Sequence, residues 1–159
     1  MIGQVRLAQP EDYQPLADLW LEGWIEAHKA HVPPALTALR TRPDFLRRLR
    51  LFGDDLRVAG PIGAPLGFCA ILGDHLDQLF VARAGRGTGL ASALLRDGER
   101  RLAENGVSLA LLDCVIANAP ARRFYARQGW IARGIETAVL ETSQGPFEME
   151  CVIFQKFVA

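Results

Sequence analysis

Three glycines in five positions, Gly85, Gly87 and Gly89, with Arg86 between the first two, are the residues of this chain best suited to hold an anion. A β-type run from Leu76 to Ala82 enters the cluster, and a helical pattern leaves it at Leu90 and continues through Ala93, Leu94 and Leu102. The glycines therefore sit on a strand-to-helix turn. At such a turn the first amides of the helix have no intrahelical partner, and the helix dipole places about half a positive charge there. Glycine removes the Cβ atoms that would hold a phosphate away and permits positive φ, and Arg86 adds a planar fork of donors. A P-loop is excluded because no lysine lies near. The dinucleotide fingerprint fails too, since its third glycine would fall on Leu90 or on Ser92. What is present is Arg86, Gly87, Thr88, Gly89, Leu90, Ala91, directly after a strand ending near Val81.

A second group of candidates lies on either side of this turn. Tyr125 could donate a proton or simply pack beside Phe124, and Asn118 suits a helix N-cap as well as a ligand contact. His75 and Asp77 open the strand before the glycines, and a histidine with a pKa near 6.5 is mostly neutral at pH 7. Strand alternation puts His75, Asp77, Leu79 and Val81 on one face, a phase that a bulge would break. His28 and His31 have no carboxylate or cysteine to complete a metal set, so no metal is expected. Cys69, Cys114 and Cys151 all fall in apolar runs and read as buried, reduced thiols of a cytoplasmic protein, none placed to form an acyl-enzyme.

These residues need a scaffold, and 159 residues, half of them hydrophobic, make one domain spanning 1–159. A formal net charge of zero gives no global field for nucleic acid or an anionic membrane. Charged residues among the first twenty argue against a signal peptide, and no 18-residue apolar run is present. In order, the pattern predicts a strand near Val5–Ala8, a helix with Tyr13, Leu16, Ala17, Trp20 and Trp24 on one face, and a second helical region interrupted near Pro43. Its arginines, Arg40, Arg42, Arg47, Arg48 and Arg50, read as a solvated face, or as a patch for an acidic partner or a cofactor phosphate. Strands follow at 56–59, 66–72 and 75–82, then the helix after the glycines, ending at Asn105 and Gly106. Val107–Val115 reads as a strand buried on both faces, Asn118–Gly129 as a helix, and 131–141 and 147–157 as a final hairpin.

Arg86, Gly89 and Ala91 after a strand ending at Val81 resemble the pyrophosphate loop of the GNAT superfamily of acyl-CoA-dependent N-acyltransferases. Asn118, Ala121, Phe124, Tyr125, Gly129 and Trp130 resemble the same family's second signature, while Arg6, Pro10, Asp12 and the Trp20–Trp24 helix are similar to its smaller members. The resemblance spans essentially the whole chain. It implies a mixed α/β (α+β) fold with a splayed, mostly antiparallel sheet of about seven strands and about four helices, in the order β-α-α-β-β-β-α-β-α-β-β. It implies acetyl-CoA as co-substrate, held by Leu79, Phe80 and Val81, by the turn Arg86, Gly87, Thr88, Gly89, Leu90 and Ala91, and by Asn118 and Phe124. An amide near Leu79–Val81 would stabilise the oxyanion, and Tyr125 would protonate the leaving thiolate.

The family often carries glutamate where this chain has His75, so the resemblance offers His75 as general base, with Asp77 as the alternative. The need for a base depends on the acceptor. A lysine-like amine costs about 4.6 kcal/mol to deprotonate at pH 7, an α-amino group only about 1.4. The acceptor, a small-molecule or peptide amine, is expected among Trp24, Ala27, His28 and His31, the hairpin residues Glu136 and Glu141, and Asp113. Direct transfer by a monomer or homodimer is the expectation. A CoA-binding module without catalysis, or an enzyme acting on a macromolecule, are the alternatives.

Overall fold

Leu16, Ala17, Trp20 and Trp24 recur at three and four positions, and all are buried on one face of α1 (Tyr13–His28) in a computed structural model describing residues 4–159. The chain enters through β1 (Arg6–Leu7) and a single 3-10 turn at Pro10–Asp12. Buried Asp12 fixes that entry: it accepts from Arg6 at 2.7 Å and 3.0 Å and from the amides of Gln9 and Gly63. Burial alone would raise the Asp12 pKa, yet these donors outweigh it and hold the carboxyl below its ordinary range.

The second helical region is two helices, α2 (Pro34–Leu39) and α3 (Arg42–Phe52), so the described residues form five α-helices where the resemblance implies about four. The break falls at Arg40–Thr41, because Thr41 is extended and its hydroxyl caps α3 by accepting from the Asp44 amide at 3.3 Å. Pro43 thus lies inside the first turn of α3, where its missing N–H is harmless.

Four more strands and a helix lead to the last hairpin: β2 (Leu56–Ala59), β3 (Gly67–Leu72), β4 (His75–Val81), α4 (Leu90–Glu104) and β5 (Leu109–Cys114). Then come α5 (Ala119–Arg127), β6 (Ile131–Leu140) and β7 (Phe147–Phe157). Gly106 and Gly129 end α4 and α5 at positive φ, and the amides of Val107 and Trp130 reach back to Leu102 and Tyr125 in the usual glycine-terminated way.

The seven strands form one sheet in the order β1-β2-β3-β4-β5-β7-β6. All neighbours are antiparallel except β4 and β5, whose parallel register contains a single pair, His75 with Leu111. Beyond that pair the strands part. β4 is also bulged against β3: Ala70 faces Gln78 and Ile71 faces Leu76, leaving Asp77 unmatched. Leu76 and Leu79 consequently both pack in the core under α4, while Asp77 and Gln78 line the opening between the strands.

Two cores cover the sheet. On one face α4 and α5 bury Leu94, Leu95 and Leu102 with Ile71, Leu112, Trp130 and Phe154. Gly98 lets α4 approach closely, since a Cβ there would lie 2.7 Å from Leu76 Cδ1 and 2.8 Å from Cys69 Sγ. On the other face α1 and α3 pack Leu16, Trp20, Phe45 and Leu49 on Val58 and Phe68. β5 is not buried on both faces as its apolar run predicts: Ala110, Leu112 and Cys114 are buried, whereas Asp113 is exposed.

Candidate active site

Where β4 leaves β5 the sheet opens into a cavity of ≈ 200 Å³ lined by both strands, α5, the α1–α3 region and the tip of the last hairpin. From β4 come Leu76, Asp77, Gln78 and Leu79, and from β5 Leu112, Asp113 and Cys114. Asn118, Ala121 and Tyr125 of the α5 segment form a third wall. β4 is bonded to β3 on its far edge through Val81, whereas its edge toward β5 is paired only at His75 and Leu111, so beyond that pair this edge has no strand partner.

At the end of β4 the glycine turn leads into α4. Gly89 is the N-cap of α4 in the left-handed region (φ 83°) and Gly87 is left-handed too (φ 74°), whereas Gly85 is needed for packing, with a Cβ position 3.0 Å from Val81 and 3.1 Å from Leu90. The first backbone bond of the helix runs from Ala93 N–H to Gly89 O, which leaves the amides of Leu90, Ala91 and Ser92 directed out of its N-terminus. Thr88 steadies the turn by donating its hydroxyl to Gly85 O. Arg86 extends to Glu26 at 3.5 Å, and Arg83 donates to the same carboxylate at 2.9 Å. Phe80 points to the opposite face, into the α1 core against Phe68.

Tyr125 is half-buried among Phe124, Trp130 and Phe154, with ring centroids 5.4, 6.3 and 5.9 Å away. Burial raises its pKa, so the phenol stays protonated well above neutral pH. Its hydroxyl bonds to no protein group among the described residues. Asn118 accepts from the Ala121 amide at 3.3 Å, as an N-cap does, and also lines the cavity. α5 is fixed to its surroundings by Gln128 donating to Ser92 on α4 and by Trp130 donating to Glu99.

The two base candidates are separated. His75 lies at the strand junction, outside the cavity lining, between Asp113 at 3.7 Å and Asp74 at 2.7 Å. Asp113 first, then Asp74, raise its pKa to about 9, so it is a cation at neutral pH. Asp77, the bulged residue, lines the cavity, and burial raises its pKa against the opposing pull of Arg48 and His75. Cys114 and Cys151 also line the cavity, but burial pushes them up to about 12 and about 11, far from a thiolate nucleophile.

The remaining wall of the cavity holds Trp24 and His28 together with residues not anticipated there: Val32, Leu36, Arg40, Arg48 and Met149. Trp24 belongs both to the α1 core and to the cavity wall. Burial, then repulsion from His31, lowers the His28 pKa to about 4, and its buried Nδ1 has no hydrogen-bond partner among the described residues. Arg40 and Arg48 are not part of a solvated face: both are buried and turned inward, too deep in the fold for a surface phosphate. Their alternation with Leu36, Phe45 and Leu49 carried the signal, because Arg48 follows Phe45 by three and so falls on the apolar stripe. Glu141 accepts from Arg47 at 2.7 Å and 3.0 Å and closes the hairpin tip on α3, while Glu136 pairs locally with Arg133. Among the described residues no cluster of His, Cys, Asp or Glu could hold a metal ion, and no helix is long and apolar enough to cross a membrane.

Residues 14–130 match the model of the acetyltransferase (GNAT) family. The chain belongs to that family, the acyl-CoA-dependent acetyltransferases. Among solved structures it is similar to a GCN5-related N-acetyltransferase from Rhodopseudomonas palustris, at 20% identity over 99% of this chain and 96% of that one, with a TM-score of 0.74. The PaiA N-acetyltransferase of Thermoplasma acidophilum, solved with coenzyme A, gives 16% identity, 99% coverage of both chains and a TM-score of 0.67. YncA of Salmonella typhimurium, solved with its cofactor acetyl-CoA, gives 15% identity, 99% and 94% coverage and 0.67. No curated protein matches the chain.

Proposed function

We propose that this protein transfers the acetyl group of acetyl-CoA directly to a primary amine bound in the same cavity. The observation that carries the reading is the gap between β4 and β5, with unspent amides of the α4 N-terminus at one end and Tyr125 in its wall. Left-handed Gly87 and Gly89 leave the approach to those amides clear, so the turn fits a diphosphate, with Arg86 released from Glu26 as a further donor. The free edge of β4 over Leu79–Val81 would bond the pantetheine arm as a strand does, with Asn118 opposite it and Phe124 packed beside Tyr125.

The amine attacks the thioester carbonyl, the oxyanion is met by an amide of the β4 edge, and collapse expels the thiolate. Tyr125, held protonated by burial, donates to that thiolate. Asp77 takes the proton that the amine must lose: it faces the cavity, and its raised pKa makes it a stronger base than an exposed aspartate. His75 then acts on the strand junction and not on the amine. With both cavity thiols protonated, transfer proceeds without an acyl-enzyme.

The test is an acetyl-CoA consumption screen over small amines, amino acids, polyamines and N-terminal peptides, run beside Tyr125→Phe. Turnover should fall by a factor on the order of 10² or more while acetyl-CoA binding persists. An unchanged rate removes Tyr125 from the mechanism. Binding of acetyl-CoA with no acceptor used by the wild type would favour a non-catalytic CoA module.

A further inference from the structure

Arg48 is 6% exposed, it lines the cavity, and none of its N–H groups donates to a protein acceptor among the described residues. The nearest carboxylate oxygen, on Glu141, is 3.6 Å from Nε, outside hydrogen-bond distance. The Trp20 ring lies 4.7 Å from its guanidinium carbon. Arg40, 5% exposed and lining the same cavity, has one bond, to Asp44 at 3.2 Å. The carboxylates that might satisfy this pair are engaged elsewhere. Asp44 accepts from Arg47 at 2.6 Å, and both oxygens of Glu141 accept from Arg47. A largely buried guanidinium whose donors find no protein acceptor and open only onto the cavity is set to receive an anion there, and its planar fork matches a carboxylate. Asp77 lies in the same cavity and is electrostatically coupled to Arg48.

We propose that the acceptor is a small zwitterion bearing a carboxylate close to its amine, an amino acid or a near analogue, with Arg48 binding the carboxylate, Arg40 supporting it and Asp77 facing the amine. The proposal rests on the acetyl-transfer reading and supplies its missing substrate class. A cavity of ≈ 200 Å³ walled by Trp24, Leu36 and Met149 suits a small, partly apolar molecule. The amine of such a zwitterion is protonated at neutral pH, so transfer needs a base, and Asp77 lines the same cavity as Arg48.

The decisive comparison uses the wild-type enzyme on matched triplets: leucine, leucinamide and isopentylamine, with the same series for methionine, phenylalanine and glutamate. The acid of at least one series should exceed its amide and its decarboxylated amine by about 100-fold in kcat/KM. Arg48→Gln should erase that preference while leaving the acetyl-CoA Kd unchanged, and Arg48→Lys should recover part of it. Amides or simple amines used as well as the acids would overturn the proposal and leave the transfer reading standing. In parallel, N-acetyl amino acids and their amides are titrated into CoA-saturated wild-type protein. Selective binding of the acids without any turnover would uphold the carboxylate site and sink the transfer reading, whereas no preference in either assay overturns the site, whether or not Arg48→Gln folds.

Discussion

Alanine at position 87 isolates what the glycine turn does. Gly87 lies at φ +74°, and a Cβ built there meets nothing within 4 Å, so the substitution introduces backbone strain without a clash. Gly106, just past the other end of α4, is a matched control: φ +88° and again nothing within 4 Å. The left-handed region costs an L-residue about 1–2 kcal/mol. At Gly106→Ala that strain is borne as lost stability, read from urea denaturation. At Gly87→Ala the turn can relieve it by rotating out of the left-handed region, which swings the amides between Thr88 and Gly89 away from the mouth of α4. A loss of 1–2 kcal/mol in binding corresponds to a Kd for CoA weaker by roughly 5- to 30-fold, measured calorimetrically. Gly106→Ala should bind CoA like the wild type. If both variants keep wild-type affinity while both are destabilised, the amides of this turn are not the anion cradle.

Asp77→Asn should lower kcat/KM for the amine by a factor on the order of 10² to 10⁴ without altering acetyl-CoA binding, and should abolish the rise in rate as pH climbs through the raised Asp77 pKa; a surviving acid limb would assign the base elsewhere. For His75 the folded pKa of about 9 lies above the ordinary 6.5, so its bound proton stabilises the fold fully below about pH 6.5 and the contribution is lost as pH rises through about 9. Since its side chain is 35% exposed, the effect is discounted to about 1 kcal/mol, seen as a wild-type advantage over His75→Gln at pH 6 that vanishes by pH 10. An advantage that persists at pH 10 would show that the protonated pair with Asp113 and Asp74 is not its source. Gly98→Ala should cost about 1–3 kcal/mol, because its Cβ would sit 2.7 Å from Leu76 and 2.8 Å from Cys69 in a packed core, and an unshifted urea midpoint would mean that α4 rides farther from the sheet.

The parts of this fold that local chemistry dictates were legible in the sequence. The glycine turn, the ends of α4 and α5 at Gly106 and Gly129, and the positions of β2 to β4 each follow from residues adjacent to the feature. What escaped depends on contacts distant in sequence. Asp77 and His75 share a parity along β4, but the bulge against Ala70 and Ile71 breaks it, and a bulge is set by the partner strand. Asp113 reaches His75 only because β5 lies parallel to β4 at that one pair, which turns a plausible neutral base into a cation. Arg48 falls on the apolar stripe of α3 three residues after Phe45, but that it and Arg40 open onto one cavity depends on the hairpin distant in sequence.

The division of the sheet explains why chemistry and specificity can meet in so small a space. β4 is held to β3 and to α4, which packs directly on both strands through Gly98. β5 is held along its whole length to β7, from Leu109–Phe157 to Cys114–Val152, and α5 rests on that half through Tyr125, Trp130 and Phe154. Each half is thus saturated internally, and the single pair at His75 and Leu111 is where the halves meet. Beyond that pair the facing edges of β4 and β5 stand apart, and an extended ligand filling the gap would take the place of the missing strand. The arm of acetyl-CoA has that shape, while a compact zwitterion suits the wider end, where Arg48 and Asp77 face a common space.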